Sequence, residues 1–208
     1  MEISLEAAIC LLHQNDQATL ASLSCSVPGY PFASALPFCV DESQAPLFLV
    51  SGLAEHTLNL NTDPRASVLI QTTRPAAPEA SSRLTLVGDA FLLSPSPTLV
   101  RRYLRYHPGA SRYLELGDFC FFRLEVRRAR MIAGFGQVGW INMESWQGAP
   151  QLSLEDEETL LERCRPDLGL IGVDCFGADT MTNGARKRIS FPCAVAPDEV
   201  NQALARLG

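Results

Sequence analysis

Apolar and polar positions alternate with a period of two along most of the first 130 residues, and helical spacing interrupts them only briefly. Leu5, Ala8, Ile9 and Leu12 fall on one helical face behind Ser4, which can cap, and this predicts a helix over 4–14. Strands are predicted over 17–24, 32–40, 47–51, 66–71, 83–93 and 119–131. Val27-Pro28-Gly29-Tyr30 has the composition of a type II turn between the first two. Gly88 lies inside the fifth strand and suggests a bulge. Helices are predicted over 53–61, over 96–106 behind a Ser96-Pro97 start, and over 111–116. Residues 72–82, with Pro75 and Pro78, read as an exposed loop. Short links between consecutive strands favour an antiparallel sheet closed into a barrel over a doubly wound parallel sheet.

The pattern changes after Trp146-Gln147-Gly148-Ala149-Pro150. An acidic helix is predicted over 153–164, strands over 168–174 and 185–191, and a final helix over 197–207. The expected organisation is therefore a mixed β-barrel with helices over 1–146 and a small C-terminal α+β appendage over 151–208.

Composition narrows the function. With 47% hydrophobic and 19% charged residues in 208, the chain is long and apolar enough to bury a core. No uncharged apolar run is long enough to cross a membrane as a helix. A net charge of −6 argues against nucleic acid as the main partner. The acidic N-terminus has no secretory signal pattern, and the seven cysteines are odd in number without C-x-x-C spacing. Reduced, mostly buried thiols in a cytoplasmic protein are expected, with no metal cluster.

Basic residues are unevenly placed. Lys187 is the only lysine, and no Lys or Arg precedes Arg65. Residues 101–130 hold eight arginines against Glu115, Asp118 and Glu125. That basic stretch reads either as a solvated or intersubunit ion-pair surface or as the charge that compensates an anionic ligand. The three histidines, His13, His56 and His107, have no metal-helix spacing, and His13 and His107 are expected at capping or surface positions. Glu155 to Glu158 reads as a solvated helix face.

Two segments carry candidate chemistry. Gly134-Phe135-Gly136-Gln137-Val138-Gly139 matches G-x-G-x-x-G, but the residues that follow make a poor amphipathic helix. A flexible turn beside a ligand pocket is favoured over a dinucleotide site. In Val50-Ser51-Gly52-Leu53-Ala54-Glu55-His56-Thr57-Leu58-Asn59-Leu60-Asn61, a strand gives way to a helix whose first amides and nearby hydroxyls suit a phosphate. The plain alternative is an ordinary strand-to-helix turn.

The strings Pro28 to Phe38, Ser51 to Leu60, Arg83 to Ala90 and Gly134-Phe135-Gly136, in this order, resemble the flavin-binding split-barrel superfamily that includes pyridoxamine 5′-phosphate oxidase. Within it, the chain looks like the haem-utilisation (HugZ-type) branch. The resemblance implies a six-stranded antiparallel split barrel that forms a homodimer, with FMN in a cleft at the interface. By that resemblance Ser34, Ala35 and Leu36 would line the flavin. Ser51, His56, Thr57 and Asn59 would hold its ribityl chain and phosphate. Arg83 and Thr85 would add phosphate contacts, and Trp140 would reach in from the partner subunit. Haem-degrading members ligate iron with a C-terminal histidine, and no histidine follows His107 here.

Three functions follow as expectations. The first is an FMN-dependent oxidoreductase acting on a small molecule. The second is a haem-binding or haem-degrading protein that uses arginines for the propionates. The third is a barrel without cofactor chemistry that serves as a binding or regulatory module.

Overall fold

The computed structural model describes residues 3–71, 81–133, 137–164, 169–182 and 184–206. Helix α1 (Leu5–Gln14) starts where Ser4 Oγ accepts from the Ala7 amide at 3.3 Å. Its apolar stripe, Ala8, Leu11 and Leu12, closes one end of the barrel core. Strands β1 (Gln17–Leu23) and β2 (Pro31–Pro37) then form a hairpin. Gly29, at φ +87°, turns it, and the Tyr30 amide donates to the Val27 carbonyl at 3.2 Å.

The strand expected over 32–40 is broken at Phe38, and β3 (Cys39–Val40) is separate. The Phe38 amide donates to the Asp16 carbonyl and its own carbonyl accepts from His107 Nε2, so the residue leaves the ladder and buries its ring. Strand β4 (Pro46–Ser51) leads into α2 (Glu55–Thr62), then β5 (Arg65–Gln71) and β6 (Ser82–Leu93). Helices α3 (Pro97–Tyr106) and α4 (Ser111–Leu114) precede the long β7 (Phe119–Ala133). Most of the loop expected over 72–82, and residues 134–136 of the glycine turn, lie outside the described residues.

All pairings are antiparallel, in the order β2-β1-β5-β6-β7-β4-β3, and the sheet curls into a split barrel. A bulge falls at the expected place, between Val87 and Gly88. It changes which residues of β7 point inward, from Phe122 and Leu124 on one side to Ala129 and Met131 on the other. A Cβ at Gly88 would stand 2.0 Å from the Glu125 carbonyl oxygen, so the two backbones approach closely here. Because of the bulge, Arg127 and Arg128 both leave the core, although they are consecutive.

Trp140 belongs to a short strand, β8 (Val138–Trp140), which pairs with β7. The small helix α5 (Met143–Gln147) follows, capped by Asn142 Oδ1, which accepts from the Glu144 amide at 2.8 Å. The C-terminal part holds α6 (Leu154–Arg163), strands β9 (Leu170–Asp174), β10 (Gly177–Thr182) and β11 (Ala185–Ser190), and α7 (Val200–Ala205). The sequence pattern missed β10, the central strand, because Asp179 and Thr180 break its apolar run.

Buried polar contacts join this part to the barrel and correct two further expectations. Glu157 is buried, not solvated: its carboxylate accepts from Arg102 and Arg105 of α3 and from the Val173 amide. His13 is buried between Asp179, Gln44 and Asp174. His107 caps the C-terminus of α3, as expected, and is half-buried against Phe38 and the Tyr103 ring. Much of the basic stretch is consumed in this way, with Arg101 on Glu158, Arg123 on Asp41 and Arg127 on Asp89. All seven cysteines are free thiols, but only Cys39 and Cys175 are fully buried. Burial pushes both of these thiols up to about 12. Among the described residues, no helix is long and apolar enough to cross a membrane.

Candidate functional site

The ten residues singled out from sequence fall into two groups on opposite faces of the sheet. On β2, Ser34 pairs with Leu20, and the row continues through Val68, Leu86 and Ala129, all buried. Ser34 and Leu36 therefore face the barrel side, and Leu36 packs against its core. Ala35 faces the other way. It begins an outer row that crosses six strands: Ala35, Thr19, Leu69, Thr85, Arg130 and Trp140. Arg83 lies two residues from Thr85 on the same outer face and is exposed.

The inner group gathers around the start of α2. Ser51 Oγ donates to Asp118 Oδ2 at 2.8 Å and accepts from the Leu53 amide at 3.2 Å. The Gly52 amide donates to the Asp118 carbonyl at 2.7 Å, which ties the loop before β7 to the end of β4. Thr57 is buried, and its hydroxyl donates to the Ser51 carbonyl at 2.7 Å. Asn59 is fully buried: its amide donates to Ser22 Oγ, and its oxygen accepts from the Cys25 amide. Thr57 and Asn59 thus brace α2 against β4 and the β1–β2 hairpin. His56 Nδ1 lies 3.2 Å from Ser34 Oγ, while its Nε2 is buried without a hydrogen-bond partner. Burial lowers the proton affinity of this ring and favours the neutral imidazole.

The outer group is cationic and aromatic. The Arg128 guanidinium sits 4.3 Å from the centre of the Trp140 ring, and that of Arg130 sits 5.6 Å from it. Trp140 is 49% exposed. Along the same face, Ala21, Leu23, Pro31, Ser67 and Val87 line a shallow apolar depression of about 310 Å³. Arg128 and Arg130 belong to the basic stretch over 101–130 but are not among the ten candidates. The available signal is their two-residue spacing, which puts both on one face of a strand. It was obscured by the bulge, which reverses the alternation just before them.

The strand order and the small extra sheet define a split β-barrel with a C-terminal appendage. The chain belongs to the family described as "CREG, beta-barrel", whose profile matches residues 3–148. It is 35% identical over 136 residues to the non-canonical heme oxygenase HOZ, chloroplastic, of Arabidopsis thaliana. That alignment spans 62% of this chain and 41% of the plant protein, less than half of its length. Among solved structures, the protein Atu2129 (unknown function) from Agrobacterium tumefaciens superposes with a TM-score of 0.75 at 25% identity, over 98% of this chain and 95% of the other. A heme binding protein from Mycobacterium smegmatis superposes with a TM-score of 0.63 at 24% identity, over 100% and 97% of the two chains. Both likenesses run through the C-terminal sheet as well as the barrel.

Proposed function

We propose that this protein binds haem on the outer face of the sheet, at Arg83, Thr85, Arg128, Arg130 and Trp140. The observation that carries this reading is the pair of guanidiniums stacked on one exposed indole, with Arg83 on the neighbouring strand. A porphyrin carries a flat apolar ring and two carboxylates. An indole offers a plane for the ring, and arginines pair with carboxylates in a fixed fork. The plant relative, a heme oxygenase by name, supports the same ligand. Bound haem supplies a redox-active iron, and degradation of the haem itself is the oxidoreductase activity that fits this reading. The role of the chain is to bind and orient the ring.

The inner group does not fit the phosphate of FMN as it stands. The hydroxyls of Ser51 and Thr57 are already spent inside the protein, and the Asp118 carboxylate occupies their vicinity. No step is therefore assigned to a flavin. The histidines do not serve the outer face either. His13 and His107 are committed, and His56 lies on the barrel side of β2 with Ser34.

The apolar depression next to the arginines suits a second copy of the chain, and we infer a homodimer with the ligand near the interface. Light scattering on the purified protein tests the dimer. A haemin titration tests the ligand: a saturable Soret shift is expected, weakened at least tenfold in the Arg128→Ala/Arg130→Ala double variant. A wild-type protein with no saturable shift would overturn the reading, as would a double variant that binds as tightly as wild type.

A further inference from the structure

The start of α2 has the outward marks of an anion site. It lacks a side-chain cap on Ala54, it follows a strand directly, and two hydroxyls lie close by. We propose that Asp118 fills this place from within, and that it is the residue that keeps phosphorylated ligands out of the inner group.

Three observations support this assignment. First, Asp118 is held there from both its side chain and its main chain. Its carboxylate accepts from Ser51 Oγ at 2.8 Å, and its carbonyl accepts from the Gly52 amide at 2.7 Å. A Cβ on Gly52 would come within 3.1 Å of that carbonyl, so the two loops are in close contact. Second, both hydroxyls and the amides of the loop before α2 are in use. The Leu53 amide donates to Ser51 Oγ, the Ala54 amide to the Ser51 carbonyl, and the Thr57 amide to the Ala54 carbonyl. Third, the local charge has the wrong sign for an anion. Glu55 stands in the first turn of α2, and the sequence has no lysine or arginine before Arg65. A phosphate dianion would meet an existing carboxylate at contact distance in place of a compensating cation, and like charges that close repel. Asp118 thus acts as a built-in anion that satisfies Ser51 and blocks the site.

The inference does not depend on the haem reading, since it concerns what the inner group rejects. Asp118→Asn tests it, because the amide keeps the shape and an acceptor for Ser51 Oγ but removes the charge. FMN and riboflavin, which share the ring and differ in the phosphate, are titrated into wild type and variant by flavin fluorescence. FMN affinity is expected to rise about tenfold in the variant, while riboflavin affinity, or its absence, stays unchanged. Asp118→Ser is a second variant that opens the same place with a smaller side chain, in case the asparagine form folds poorly. If FMN affinity rises in neither variant, Asp118 is not the determinant. An equal rise for riboflavin would also overturn the assignment, because the gain would then owe nothing to the phosphate.

Discussion

His13 Nδ1 lies 2.7 Å from Asp179 Oδ2, so the first helix is joined to the central strand of the C-terminal sheet through a buried polar contact. The other ring nitrogen faces Gln44 Oε1 at 2.7 Å and Asp174 Oδ2 at 3.0 Å. Arg188 adds a buried cation, 2.7 Å from Asp174 and 3.3 Å from Asp179, and the Tyr106 hydroxyl donates to Asp179 at 2.6 Å. Burial alone would raise both carboxyls, but the charges of His13 and Arg188 outweigh it and hold both below the usual carboxylate range.

This cluster predicts acid-sensitive docking of the C-terminal sheet. A carboxyl with a depressed folded pKa stabilises the fold at every pH above its unfolded value, and that contribution is lost as pH falls through the folded value. The melting temperature should therefore fall steeply below about pH 4, where an unfolded Asp takes up its proton. Asp179→Asn leaves His13 and Arg188 short of a charge partner and should cost about 3–5 kcal/mol at neutral pH. Chemical denaturation measures that loss, and the variant should also show a flatter acid limb. An acid limb as steep as that of wild type would place the titrating groups elsewhere.

Gly88→Ala tests the bulge. The added methyl would meet the Glu125 carbonyl, a backbone atom that cannot swing aside. A loss of about 1–3 kcal/mol is expected, the usual cost of overpacking, read as a lower denaturation midpoint. The cost should not stay local. The bulge sets the facing of Arg128 and Arg130, so haemin affinity should fall in the same variant.

Thr57→Val separates bracing from binding. The buried hydroxyl serves the Ser51 carbonyl, which also accepts from the Ala54 amide, so the substitution should lower stability by about 0.5–1.5 kcal/mol, the net worth of one hydrogen bond. Haemin affinity should not change, because Thr57 lies away from the outer face. A binding defect with full stability would reverse this assignment.

The barrel was legible because its inward and outward residues alternate strictly along β1, β5 and β6, and Gly88 stood out inside an otherwise unbroken strand. The C-terminal sheet was less legible because its centre is held by charge. Glu157 and His13 read as surface residues until their partners, Arg102 and Asp179, arrive from 55 and 166 positions away. The same limit applies to the candidate site. Local sequence marked Ser51 and Thr57 as available donors, but their acceptors were visible only in three dimensions, and one of them, Asp118, lies 67 residues on. Trp140 was marked too, whereas the guanidiniums stacked on it were hidden because the bulge at Gly88, although expected, does not by itself tell which residues of β7 it turns outward.

The stacked arginines give the sharpest test of the outer face, because it distinguishes geometry from charge. Arg128→Lys keeps the positive charge but loses the planar group that lies 4.3 Å from the Trp140 ring, as well as the fork that matches a carboxylate. If the face acted only as a positive field, the lysine variant would bind haemin as wild type does, and affinity would fall steeply with salt. If each guanidinium pairs with a propionate while resting on the indole, the lysine variant should lose about 1–2 kcal/mol, roughly tenfold in affinity, and the alanine variant more. Trp140→Phe should then weaken binding in its own right, since the ring is both a contact for the porphyrin and the support of both arginines. Equal affinities for wild type and the lysine and phenylalanine variants would remove the outer face from consideration as the haem site.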